Sequence, residues 1–78
     1  LLSRGLGDVY KRQAVKYYKK AAEKGNAFAM AHYGCALANG EGVRKNEKSA
    51  MEWLIKAAMK GDEGAILILK EDYDYTLK

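Results

Sequence analysis

Apolar and polar residues recur along this chain with a helical period. Between Ala50 and Ala58 the apolar stripe is Ala50, Trp53, Leu54, Ala57 and Ala58, at i, i+3, i+4, i+7 and i+8. That spacing places all five on one face of a 3.6-residue helix. The same stripe stands 36 residues earlier as Ala14, Tyr17, Tyr18, Ala21 and Ala22, with lysines and glutamates opposite. On this reading Tyr17, Tyr18 and Trp53 are core residues. A third run, Ala29, Met30, Tyr33, Gly34 and Leu37, predicts a helix over about Ala27 to Asn39. Gly25 and Gly61 follow the stripes, where a left-handed residue ends a helix. Asn26 and Asp62 come next, and both are good N-caps. Each Gly-Asn or Gly-Asp step therefore predicts a sharp helix-to-helix turn. Residues 40–45 read as a loop whose one apolar residue, Val43, is expected to pack into the helix pair. Asn46 then caps a helix reaching Lys60.

The two stripes belong to an internal repeat. Ala14–Met30 set above Ala50–Ile66, at an offset of 36 residues without a gap, gives seven identities in 17 positions. Average composition would give about one or two. A period of this length means stacked supersecondary units. The expected fold is all-α: an α-solenoid of antiparallel helix pairs, about one full repeat flanked by two half repeats. In chain order these are a second helix (14–25), a full pair (26–61), and a first helix with a tail (62–78). Ala65 and Leu69 keep the register of the third unit. Lys70 then stands where the repeat has Gly34, and Glu71-Asp72-Tyr73-Asp74-Tyr75 is acidic and aromatic. That tail reads as a polar cap or a frayed end.

The residues Gly25-Asn26, Ala29, Tyr33-Gly34, Gly40, Gly42-Val43, Ala50, Trp53, Lys56-Ala57-Ala58 and Gly61 resemble the pattern of the Sel-one-like repeat (SLR) family, close to the tetratricopeptide repeat. The likeness runs from residue 14 to about 69. Two positions depart from it: Ala36-Leu37 replaces a bulkier leucine-aromatic pair, and Lys70 replaces the second copy of Gly34. The resemblance implies a right-handed superhelix that acts as a scaffold or adaptor for a protein or peptide partner, often in bacteria. One branch of the family was described as β-lactam-processing, and it carries a cysteine pair in each repeat. A lone Cys35 does not fit that branch, so no enzyme is expected.

Ser3 to Gln13 stands apart from the repeat. It is similar to the translation of a transposase-inserted sequencing-library adapter, codon for codon over eleven residues. Residues 1–13 are therefore expected to be non-native, and residues 14–78 to be a fragment of a longer, metagenomically sampled repeat protein. This changes the charge argument. The net charge is +4, but Arg4, Lys11, Arg12 and Asp8 lie in that segment, so half of it is set aside. Lys16, Lys19, Lys20 and Lys24 remain as a basic helix face that could meet phosphate. A solvated face is the simpler account, and no nucleic-acid partner is expected. No apolar run approaches the roughly 20 residues of a membrane span. A solenoid needs about three or more repeats for stability, so the chain alone is expected to be marginally stable.

Little else in the sequence carries chemistry. His32 and Cys35 lie three apart on one helix, but two ligands do not make a zinc site, and nothing orients His32 as a base for Cys35. Gly40-Glu41-Gly42-Val43 lacks the lysine of a phosphate loop. No cofactor, metal or small-molecule substrate is expected. One stripe remains: Phe28, His32, Cys35 and Asn39, at i, i+4, i+7 and i+11, beside the Ala29/Tyr33/Leu37 line. First helices line the concave side of helix-pair solenoids, so these four are candidate ligand contacts.

Overall fold

The computed structural model describes residues 4–76. Four helices follow in order: α1 (Arg4–Glu23), α2 (Ala27–Asn39), α3 (Glu47–Met59) and α4 (Glu63–Asp72), with no strand among the described residues. Each packs mainly on its chain neighbour, α1 on α2, α2 on α3 and α3 on α4. This is the expected α-solenoid: α2 and α3 form the full pair, α1 is a second helix before it, and α4 is a first helix after it.

The two copies of the repeat turn have the same hydrogen-bond pattern. The N–H groups of Gly25 and Asn26 donate to the carbonyls of Ala22 and Ala21, at 2.9 and 3.1 Å. Those of Gly61 and Asp62 donate to Ala58 and Ala57, at 2.9 and 3.0 Å. Both are Schellman closures, which need a left-handed residue at the turn; Gly25 and Gly61 supply it with φ of 99° and 96°. The residue after each glycine then opens the next helix. Asn26 Oδ1 accepts from the Ala29 N–H at 2.9 Å, and Asp62 Oδ2 from the Ala65 N–H at 2.9 Å. One residue thus closes one helix through its backbone and caps the next through its side chain. Three residues suffice for the reversal, and adjacent helices must pack side by side.

The connection from α2 to α3 is longer. The N–H of Gly40 returns to the Ala36 carbonyl at 2.8 Å, and that of Asn46 to the Leu37 carbonyl at 2.8 Å. Asn46 Oδ1 caps α3 by accepting from the Ser49 N–H at 3.0 Å. The loop lies on α1: a Cβ on Gly42 would stand 2.7 Å from the Lys11 carbonyl oxygen. Val43 is half-buried against the Val15, Tyr33, Ala36, Leu37 and Ala50 cluster, as its isolated apolar character suggested.

The core is built of small residues. Leu54 and Leu69 are the largest fully buried side chains, surrounded by Ala22, Ala29, Ala57, Ala58 and Ala65. Gly34 sets the α2–α3 approach. A Cβ there would lie 2.9 Å from Leu54 Cγ and 3.1 Å from the Ala50 carbonyl oxygen. Trp53 is half-buried, edge-on to Tyr33 with ring centroids 5.6 Å apart.

Two expectations need correction in α1. The helix does not start near Ala14; it runs back to Arg4. A formed helix extends at little cost, because nucleation is the expensive step, so the adapter-like segment need not carry an apolar stripe of its own. Tyr17 is not a core residue either: it is 68% exposed, and Ala14 is exposed too. Val15, Tyr18 and Ala22 make the inward face instead. The repeat offset explains this. Trp53, the counterpart of Tyr17, packs on Tyr33 of α2, whereas no described helix covers Tyr17, and Ala14 lies at the open edge of the α1–α2 contact. At the other end the tail folds back. The Tyr75 N–H donates to the Leu69 carbonyl at 2.9 Å, and Tyr73 and Tyr75 are half-buried on the core while Asp72 and Asp74 stay exposed.

Candidate interaction surface

The four candidate contacts share one side of α2 by their spacing, and Cys35 among them also packs against the core cluster of Leu54 and Leu69. Asn26 fixes the start of the helix and Gly34 holds its opposite face against α3, so the stripe is turned outward. Phe28 is 58% exposed, unusual for the only phenylalanine of the chain. Its ring lies 4.1 Å from that of the exposed His32, centroid to centroid, at 39°. Cys35 is half-buried one turn further on, and Asn39 is exposed at the helix end.

The structure adds Tyr18, which packs on the core as its spacing predicts and also reaches this surface. Its ring meets His32 edge-on with centroids 4.8 Å apart, and meets Tyr17 at 5.8 Å. Tyr18 and His32 overhang a groove of about 280 Å³ between α1 and α2. Ala14, Val15, Cys35 and Ala36 line it, with Lys11 and Glu41 at its rim. Phe28 and Asn39 stand outside the groove, at the two ends of the stripe. Tyr18 escaped notice because its role comes from a contact between α1 and α2. Within α1 its spacing says only that it faces inward.

Burial pushes the Cys35 thiol above its ordinary range, and the carboxylates of Asp72, Asp62 and Glu41 push it the same way. It is a neutral thiol near pH 7, without the thiolate a nucleophile needs. Among the described residues no three His, Cys, Asp or Glu side chains converge on a metal position. No described helix is long and apolar enough to cross a membrane. Lys16, Lys19 and Lys20 surround the exposed Tyr17 on a separate, shallow face of α1.

The sequence model of the Sel1 repeat matches residues 1–26 and 27–62. No curated protein and no solved structure matches the chain. Sel1 repeats are in general protein-interaction modules, typically non-enzymatic. The two matched windows cover most of the molecule, and the chain belongs to the Sel1 repeat family.

Proposed function

We propose that this chain is part of a non-enzymatic scaffold that binds a peptide or an extended protein segment along α2, on the concave side of the solenoid. Phe28, His32, Cys35 and Asn39 are its contact residues, with Tyr18 beside them. It uses no cofactor and no small-molecule substrate. The observation that carries this reading is the exposed Phe28 in ring contact with His32, which itself lines an apolar groove. Leaving a large apolar ring in water forgoes roughly 1.5–3 kcal/mol of burial, and exposed aromatic anchors are where binding energy concentrates. A peptide with one apolar side chain for the groove and a neighbouring ring or aliphatic group for Phe28 fits this shape.

Selection from a phage-displayed random peptide library on the immobilised full chain tests the proposal. Binders that lose at least about tenfold in affinity (about 1.4 kcal/mol) on Phe28→Ala, with the melting temperature unchanged, are expected. Binders indifferent to Phe28→Ala, His32→Ala and Cys35→Ser would overturn it. The β-lactam-processing alternative draws no support from a single neutral thiol. The adapter-derived origin of residues 1–13 rests on its codon-level resemblance, and sequencing the source DNA across codon 14 tests it.

A further inference from the structure

The α1–α2 contact has two edges, and Val15 lines both. One edge is the groove beside Tyr18 and His32. The other faces the α2–α3 loop. There the buried Val15 and Tyr33 and the half-buried Val43 line a cavity of about 240 Å³ beside Arg12, Lys16 and Lys19. An adjoining cavity of about 390 Å³ shares Arg12, Gly42 and Val43 and adds Gly40 and Arg44. No acidic side chain lines either cavity. Arg12, Lys16, Lys19 and Arg44 are all exposed, and none pairs with a carboxylate among the described residues. Lys45, the next residue along, does pair, with Glu47 at 3.5 Å. Three of the four free cations, Lys16, Lys19 and Arg44, lie outside the adapter-like segment.

The loop holds this cluster together. Gly42 has a left-handed φ of 73° and sits where a Cβ would meet the Lys11 carbonyl oxygen at 2.7 Å, so glycine is needed there. That close approach sets Arg44 and Arg12 around one cavity. Gly40 and Gly42 have no side chain, so backbone forms the wall at both. No backbone carbonyl of the described residues accepts from the N–H groups of Gly42, Val43 or Arg44. Cations gathered without a counter-charge repel one another, and unpartnered N–H groups lack an acceptor. A single anion answers both. We propose that this junction of α1 with the α2–α3 loop binds a phosphate monoester. Near neutral pH a monoester carries a charge of about −1.5 to −2 and three strong acceptor oxygens, and the two guanidinium groups can each donate to it in pairs. The phosphodiester of a nucleic acid brings a single charge per group and suits four cations around one depression less well. The site is distinct from the Phe28–His32 stripe and does not rest on the peptide reading.

Titration of the isotope-labelled full chain at constant ionic strength, followed by backbone amide shifts, tests this. The probes are inorganic phosphate, a short phosphoserine peptide, the same peptide with serine, and a single-stranded oligonucleotide. Saturable shifts of the Gly42, Val43 and Arg44 amides are expected with the first two and none with the serine peptide. A phosphoserine peptide that binds more tightly than inorganic phosphate supports a phosphorylated protein as the source of the ligand, and equal affinities support a free phosphate. Arg44→Gln and Lys16→Gln alter exposed side chains, so each keeps its helicity by circular dichroism. Each weakens phosphate binding about three- to fivefold, the worth of one exposed ion pair. Lys70→Gln, on α4, leaves it unchanged. Shifts that grow linearly with phosphate and never saturate would overturn the proposal. So would a Lys70→Gln chain weakened as much as the Arg44→Gln chain, affinities indifferent to Arg44→Gln and Lys16→Gln, or an oligonucleotide that binds more tightly per phosphate than the phosphoserine peptide.

Discussion

Gly34 and Cys35 are chain neighbours with opposite roles. Gly34 is a spacer. Adding a methyl there gains about 1 kcal/mol of helix propensity but drives a Cβ into Leu54 Cγ and the Ala50 carbonyl, a conflict of about 1–3 kcal/mol. Gly34→Ala is therefore expected to lower stability by up to about 2 kcal/mol, read as a lower urea midpoint with an unchanged slope. Cys35 is a surface thiol held in its neutral form. Burial and then Asp72, Asp62 and Glu41 raise its pKa in the folded state, so the folded chain keeps a proton that the unfolded chain gives up. The stability this supplies is complete below the ordinary thiol range and is lost as pH rises through it toward the folded value. Tyr73 is shifted in the same direction, first by burial and then by Glu47 and Asp72. Cys35→Ala should therefore lessen the alkaline loss of stability without removing it. Maleimide labelling of the native chain should reach half its limiting rate at a pH above that of a free cysteine. Labelling as fast as a free thiol at neutral pH would refute the assignment.

At the scale of the helix, the junctions were legible in the sequence and the neighbours were not. Gly25-Asn26 and Gly61-Asp62 announce their turns because the Schellman closure and the N-cap depend only on residues within a few positions. Asn46 is legible for the same reason. Removing these caps should cost about 1 kcal/mol each. Asn26→Ala and Asn46→Ala should therefore each lower the melting temperature by about 4–8 °C for a domain of this size. A shift within error for both would mean that the caps contribute nothing. The exposure of Tyr17 and the reach of Tyr18 to His32 have a different origin. An apolar stripe states which side of a helix wants cover, and the stripe of α1 is as good as that of α3. Whether cover exists depends on a neighbouring helix, which no local pattern encodes. The half of the α1 stripe that faces α2 became Val15, Tyr18 and Ala22, and the other half faces solvent. The candidate stripe on α2 was legible as a face from its i, i+4, i+7 spacing. Its assembly with Tyr18 into one groove is a product of the α1–α2 packing.

The whole molecule is built on a repeated helical unit, and its properties follow from that. Each helix of a solenoid is stabilised by the helices on either side, and among the described residues α1 packs mainly on α2 and α4 mainly on α3. The core is mostly alanine with two fully buried leucines, so the apolar area removed from water is modest. A thermal melt of the dilute chain should accordingly be broad and centred below the usual mesophile range of about 45–65 °C. A sharp, cooperative transition well above that range would show that α1 and α4 need no further cover. The same architecture leaves α2 as the one first helix with helices packed on both flanks of its register, and Phe28 and His32 project from it unburied. Whether that stripe receives the partner is the central claim. The most direct measurement is an NMR titration of the isotope-labelled chain with a library-selected peptide, following backbone amide shifts. The account predicts perturbations centred on Phe28, His32, Cys35 and Tyr18, with Glu52, Lys56 and the rest of the outer face of α3 unmoved. Perturbations centred on that α3 face, with the α2 stripe silent, would contradict it.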